Sequence, residues 1–93
     1  MNNNEKYLPL GTVVMLHKGR HRAMIVGYCA KILDTPDAPY YDYIGCLFPE
    51  GIFTNESSMV FNHSDIKEIY HLGFVDEETR QFHNKLNQVM KNN

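Results

Sequence analysis

The chain has 93 residues, of which 43% are hydrophobic and 22% are charged, and its formal net charge is −2. A chain of this size supports one hydrophobic core and excludes two separate domains, because small chains bury too little surface for two cores. The composition is that of a folded globular protein and not of a disordered one. The slight negative charge provides no positive field for a phosphate backbone, so nucleic acid is not the expected partner.

The first residues are polar and rich in asparagine. We therefore predict a disordered segment over residues 1–6 and a single folded domain over residues 7–91. The N-terminus lacks the apolar segment of a secretion signal, and no run approaches the roughly 18 apolar residues of a membrane span. These features predict a cytoplasmic protein without membrane contact.

Five short apolar segments have the composition and spacing of β-strands. They are Thr12–Leu16, Arg22–Leu33, Tyr40–Phe48, a short segment near Ser58–Phe61, and Ile66–Leu72. The basic stretch between the first two strands is interpreted as a turn. Residues 62–65 favour a single helical turn, because their side chains bond readily to nearby backbone. The last segment also fits a helix, but Gly73 follows it closely and a strand is favoured.

The long second strand contains Gly27, which predicts a bulge or a sharp bend. Simple alternation predicts two faces for this strand. Met24, Val26, Tyr28, Ala30 and Ile32 form one predicted face, and Ile25, Cys29 and Lys31 form the other.

A C-terminal helix is predicted over residues 76–91. Asp76 is the expected N-cap, and acidic residues follow in the first turn, where the helix dipole favours negative charge. An apolar stripe consists of Phe82, Leu86, Val89 and Met90, and we expect it to cover an end of the β-core. The predicted fold class is therefore mainly β with a C-terminal α-helix (α+β): an SH3-like small barrel of about five strands capped by one helix.

The sequence offers little for catalysis or for cofactors. Cys29 and Cys46 lie in apolar runs without metal-ligand spacing, which favours two reduced, buried thiols. The five histidines are scattered over turns, a strand and the helix, so no metal site is predicted. The neighbours His63 and Ser64 are adjacent in sequence and usually point apart, and the glycines form no phosphate loop. The chain is predicted not to be an enzyme and to need no cofactor.

Aromatic side chains are concentrated around the third strand and the turn after it. Alternation means that they cannot all face the core, and exposed aromatic residues on a rigid strand are favoured anchors of protein interfaces. We predict a partner-binding surface within residues 40–53. Its members are Tyr40, Tyr41, Tyr43, Phe48, Glu50 and Phe53.

Four segments carry a resemblance to a known family: Tyr7–Val14, Met24–Tyr28, Tyr41–Gly51 and Phe61–Ile66. Over about residues 7–86 the chain resembles a family of short Firmicute proteins known only as a domain of unknown function. The block Tyr-Asp-Tyr-Ile-Gly, which leads into Pro-Glu-Gly, is the most specific part. Genes of that family often lie beside genes for LXG-type toxins of the type VII secretion system. The resemblance therefore implies an accessory protein, a chaperone or a targeting factor for a secreted toxin.

The favoured hypothesis is a cytoplasmic protein-binding module, and homo-oligomers remain open. One alternative is a nucleic-acid-binding small barrel that uses the basic turn from Lys18 to Arg22 and its aromatic faces. Another alternative is an immunity protein that blocks a toxin with the acidic residues Asp42, Glu50 and Glu56.

Overall fold

The computed structural model describes residues 6–31 and 35–91. The elements are β1 (Val13–Leu16), β2 (Arg22–Ala30), β3 (Tyr41–Phe48), β4 (Ser58–Phe61), β5 (Ile66–His71) and α1 (Glu77–Lys91). Short 3₁₀ turns precede β4 and β5, at Asn55–Ser57 and His63–Asp65. The prediction of a mainly β chain with a C-terminal helix is confirmed. The predicted end of the second strand, at residues 32–33, lies outside the described residues, as does the predicted disordered segment except for Lys6.

The five strands form one antiparallel sheet in the order β4-β3-β2-β1-β5. Strand β1 pairs with β2, β2 with β3 and β3 with β4, and β5 returns to pair with β1. Within residues 6–31 and 35–91 the edge strands β4 and β5 do not pair with each other, so the sheet is open. The closed barrel of the sequence prediction is therefore not observed.

Strand β2 is irregular at the predicted Gly27 bend. The β3 residues paired with Ile25 and Gly27 are consecutive, so Val26 is an extra residue in β2. A single extra residue moves every later side chain to the opposite face. Tyr28 consequently packs on the core side together with Ile25. The predicted grouping of Tyr28 with Met24, on the face opposite Ile25, is wrong for this reason.

One face of the sheet carries the hydrophobic core. Its buried members come from the N-terminal segment and from four strands: Tyr7, Val14, Ala23, Ile25, Tyr43 and Phe61. Partly buried residues from β5 and α1, such as Ile66 and Leu86, pack against this cluster. Lys6 joins the domain through an ion pair in which its Nζ lies 3.0 Å from Asp42 Oδ1. The segment before β1 is thus part of the folded unit from Lys6 onward.

Helix α1 begins after Asp76, as predicted. Asp76 Oδ1 accepts hydrogen bonds from the Thr79 N–H at 2.9 Å and from the Thr79 hydroxyl at 2.8 Å. These bonds lower the pKa of the Asp76 carboxyl.

The docked face of α1 differs from the predicted apolar stripe. Leu86 packs against the core and Met90 is half-buried, but Phe82 and Val89 are exposed, and His83 is buried in their place. His83 faces the sheet because its ring is hydrogen-bonded to the Tyr28 hydroxyl, and this contact rotates the helix away from the predicted orientation. No helix in the described part of the chain is long and apolar enough to cross a bilayer.

Candidate functional site

Three tyrosine rings meet inside the core, where β2, β3 and the N-terminal segment converge. The Tyr7 ring lies edge-on to Tyr28, with centroids 5.6 Å apart, and edge-on to Tyr43 at 6.2 Å. Edge-to-face pairs at such distances stabilise a core beyond the area they bury. The positions of their hydroxyl groups decide whether the cluster is a reactive site or a structural one.

The Tyr43 hydroxyl connects the N-terminal segment to the 3₁₀ turn before β5. It accepts a hydrogen bond from the Leu8 N–H at 3.0 Å and lies 2.8 Å from His63 Nδ1. Its neighbour Asp42 accepts a hydrogen bond from the His63 N–H at 2.9 Å and pairs with Lys6. Both Asp42 carboxylate oxygens therefore serve internal contacts, which leaves Asp42 poorly suited to the toxin-blocking role of the immunity alternative.

The Tyr28 hydroxyl fixes helix α1 to the sheet. It donates a hydrogen bond to the Leu8 carbonyl at 2.8 Å and lies 2.9 Å from His83 Nε2. Because the phenol proton is already donated, His83 Nε2 is the donor in this pair. The Tyr7 hydroxyl forms a weaker hydrogen bond with Cys29, in which its oxygen lies 3.6 Å from Sγ.

Burial makes these phenols harder to ionise than a phenol in water. It raises the pKa of Tyr28 from 10.0 to about 12, and it also raises the pKa values of Tyr7 and Tyr43. Neutral phenols held by hydrogen bonds at physiological pH are poor nucleophiles and poor bases. The tyrosine cluster is thus a structural network that joins the N-terminal segment, the sheet and the helix.

The histidine of this network makes stability depend on pH. Burial lowers the pKa of His83 below its ordinary value of 6.5, so the unfolded chain takes up this proton at a higher pH than the folded chain. The stabilisation that the folded state gains from neutral His83 is fully present above about pH 6.5 and is lost as the pH falls below that value. We expect the free energy of unfolding, measured with urea between pH 7.5 and 5.5, to decrease less in His83→Gln than in the wild type. A His17→Gln control, altered in an exposed turn, should follow the wild type, and equal slopes for all three proteins would contradict this account.

The opposite face of the sheet carries a groove, which is called the outer groove below. Alternation places Met15, Arg22 and Phe48 on this face, and the strand register aligns them in one row across β1, β2 and β3. Val13 and Met24 form the next row. The side chains between these rows, such as Val14 and Ala23, point to the core.

Tyr70 closes the groove on the β5 side. Val13 pairs with His71 and Val14 pairs with Ile69, so Tyr70 is an extra residue in β5. Bulges of this kind redirect a side chain. Tyr70, Phe48 and Arg22 line both parts of the groove, an apolar hollow of about 400 Å³ over Val13 and Met24, and a polar hollow of about 380 Å³ beside Arg20, His21 and Glu50.

The charges around the groove are concentrated at its polar end. Arg22 lies over the Phe48 ring, with its Cζ 5.1 Å from the ring centroid. In the part of the chain that the structure describes, neither Arg20 nor Arg22 forms an ion pair. Glu50 is the single carboxylate that lines this hollow. An apolar hollow beside two guanidinium groups is suited to binding a segment that carries both apolar and acidic groups.

The structure separates five of the six predicted surface residues into three groups. Phe48 and Glu50 line the outer groove. Tyr40 and Tyr41 lie at the opposite end of β3, on the order of 20 Å away along the strand, where the Tyr40 ring lies beneath Lys31 Nζ at 4.6 Å. Phe53 is 73% exposed in the loop before β4 and does not line the groove.

Tyr43 corrects the prediction most clearly. It was predicted as a surface anchor, but its side chain is 0% exposed. Tyr43 lies two residues before the buried Gly45 on β3. Side chains alternate along this strand, so both residues face the core. Tyr43 is therefore a core residue and not part of a partner-binding surface.

The predicted partner-binding surface omits Met24 and Tyr70, and Arg20 and Arg22 belong to the basic turn that was considered only for nucleic acid. The sequence indicates that Met24 and Ala23 point to opposite faces of β2. It does not indicate which residues of the neighbouring strands lie beside them, because that depends on the strand register. The bulge that redirects Tyr70 has no Gly or Pro to mark it. The two cysteines are free thiols, and among the described residues no group of three His, Cys, Asp or Glu side chains is placed to hold a metal ion.

A comparison with known proteins adds the family. No curated protein and no solved structure matches the chain. A family model described as "Domain of unknown function (DUF4176)" matches residues 7–82, a range that contains all five strands and the start of α1. Since this range is most of its length, the chain belongs to the DUF4176 family of unknown function.

Proposed function

We propose that the chain is a non-enzymatic cytoplasmic module that binds a segment of a client protein in the outer groove. The observation that carries the proposal is the composition of this groove. Its floor holds Val13 and Met24, its walls hold Phe48 and Tyr70, and its arginines form no ion pair among the described residues. Aromatic side chains, methionine and arginine are enriched at protein interfaces, and tyrosine and arginine are frequent hot spots.

The resemblance to proteins encoded beside LXG-type toxin genes supports a particular client. A toxin bound for type VII secretion has to be kept competent for export and delivered to the secretion machinery. A small protein with an open groove of this composition is suited to an accessory role of this kind. We therefore propose that the chain acts as a chaperone or targeting factor for an LXG-type toxin.

The strand order also supports the finer fold assignment made from the sequence. A meander of four strands, a 3₁₀ turn and a fifth strand that returns to the first form the connectivity of an SH3-like small barrel. We propose that the sheet is an open member of that class. The extra residues in β2 and β5 strengthen its twist, which supports this assignment.

Affinity capture from the native host tests the proposed function. A tagged wild-type chain should retain an LXG-type toxin or a secretion component, identified by mass spectrometry. Tyr70→Ala should weaken retention by roughly ten-fold or more, because truncation of an aromatic anchor at the centre of an interface typically costs at least that much. Tyr70 is 50% exposed on an edge strand, so this truncation should leave the fold intact.

Phe53→Ala is the matched control, because Phe53 is an exposed aromatic residue outside the groove. It should retain the client as the wild type does. Retention by Tyr70→Ala combined with loss by Phe53→Ala would move the binding surface to the loop before β4. A wild-type chain that captures neither a toxin nor a secretion component would contradict the proposed client.

A further inference from the structure

The polar hollow of the outer groove is positive although the chain as a whole is negative. Arg20 and Arg22 line it together with His21, against the single carboxylate of Glu50. The formal net charge of the chain is −2, so this end of the groove is a local exception. A partner that presents carboxylates would match it, whereas a basic partner would be repelled.

The arginines are also free to bind an anion. Among residues 6–31 and 35–91, the ion pairs are Lys6 with Asp42 and Arg80 with Glu77, and neither involves Arg20 or Arg22. The Phe48 ring supports the Arg22 guanidinium from one side. A guanidinium held against an aromatic face keeps its N–H donors available for a carboxylate.

The apolar hollow lies directly beside this positive end. Met24 and Arg22 are two residues apart on the same strand and point to the same face, which separates their rows by about 7 Å. In an extended peptide lying along β2, side chains on one face repeat at the same interval. The spacing therefore matches an apolar side chain and a carboxylate two positions apart.

We infer that the outer groove recognises an extended segment of a partner protein in which a large apolar side chain and an Asp or Glu lie two residues apart. The apolar side chain occupies the hollow over Val13 and Met24, and the carboxylate binds Arg20 and Arg22. This inference rests on the proposed function and specifies the chemistry of the client segment. Nucleic acid fits less well, because half of the groove is apolar and Glu50 lines the other half.

Selection of a displayed library of random heptapeptides on the purified full chain tests the inference. Enriched peptides should share an apolar residue and an Asp or Glu two positions apart. In a synthetic copy, replacement of that acid by Asn should weaken binding by roughly ten-fold, as is typical for the loss of a charge-assisted hydrogen bond. Enriched peptides without a carboxylate would overturn the inference, as would the absence of enrichment.

A charge exchange identifies the arginines as the binding groups. The double variant Arg20→Glu/Arg22→Glu should lose the acidic peptides and should bind copies in which the acid is replaced by Lys, a gain that also shows the variant is folded. Lys18→Glu is the control, because Lys18 belongs to the same turn but does not line the groove. Equal losses in the control and the double variant would overturn the inference, and so would a single-stranded oligonucleotide that displaces the peptides.

These outcomes are separable from those of the proposed function. A toxin captured through Tyr70, combined with peptides that lack a carboxylate, would retain the function and overturn the inference. Acidic peptides that bind the groove, combined with the absence of any captured client, would contradict the proposed function and support the recognition chemistry.

Discussion

Tyr43→Ala should lower the free energy of unfolding by about 4 kcal/mol, because it removes an aromatic ring from the centre of a close-packed core. Tyr43 is fully buried and contacts the Phe61 and His63 rings. Tyr43→Phe should cost about 2 kcal/mol, since it keeps the ring but leaves the Leu8 N–H without its acceptor. Urea unfolding at neutral pH measures both values.

Tyr41→Phe is the control for this pair. Tyr41 lies two residues away on the same strand and is half-buried, so removal of its hydroxyl should change stability by less than about 0.5 kcal/mol. If Tyr43→Phe were as stable as the wild type, the Tyr43 hydroxyl would not be the connection between the N-terminal segment and the sheet.

Gly73→Ala should lower the free energy of unfolding by about 3 kcal/mol. A Cβ at this position would overlap the Leu10 carbonyl oxygen and would stand 3.0 Å from the Thr12 nitrogen. Both obstacles are backbone atoms, so the strain cannot be relieved by rotation of a side chain. The substitution also threatens the hydrogen bond that the Gly73 N–H donates to the buried Thr12 hydroxyl at 3.0 Å.

Gly19→Ala provides the comparison for Gly73. The nearest atom to a Cβ at Gly19 is Leu16 Cβ at 3.5 Å, which is an ordinary contact. This substitution should therefore change stability by less than about 1 kcal/mol. Equal effects at the two glycines would show that the approach of the Gly73 segment to Leu10 is not a tight constraint.

The strands and the helix were predictable because each has a local signal. Ser58–Phe61 is predicted with the observed bounds, and the helix starts one residue after the predicted N-cap Asp76. The 3₁₀ turn at His63–Asp65 follows from the Asn and Asp side chains, and the Asn62 N–H indeed donates to Asp65 Oδ2 at 2.8 Å. Such signals depend on neighbours in sequence and need no knowledge of tertiary contacts.

The faces of the elements were less predictable, because each depends on a contact between distant segments. The extra residue Val26 reverses the later part of β2, so Tyr28 enters the core. The pairing of Tyr28 with His83 then turns the helix and leaves Phe82 exposed. For the site, the predicted surface residues Phe48 and Glu50 both line the outer groove, but the sequence could not align Phe48 with Arg22 without the register.

The motif residues behind the family resemblance have a structural explanation. The Asp42 N–H donates a hydrogen bond to Asn62 Oδ1 at 3.1 Å, and the Tyr43 hydroxyl lies 2.8 Å from His63 Nδ1. The segments Tyr41–Gly51 and Phe61–Ile66 are thus joined by hydrogen bonds. Lys6 adds an ion pair with Asp42, and the Leu8 N–H donates a hydrogen bond to the Tyr43 hydroxyl. These motifs stabilise the fold that presents the groove. Arg22 and Tyr70, which line the outer groove, lie outside the four segments of the resemblance, whereas Val13, Met24 and Phe48 lie within them.

Site-specific crosslinking in the native host tests most directly whether a partner occupies the outer groove. A photoreactive benzoylphenylalanine replaces Tyr70 in one variant, and it replaces Phe53 or Phe82 in two matched variants with exposed aromatic positions outside the groove. We predict a covalent adduct with a second protein from position 70 and none from the other two. An adduct from position 53 or 82 without one from position 70, or no adduct from any of the three, would contradict the proposed binding site.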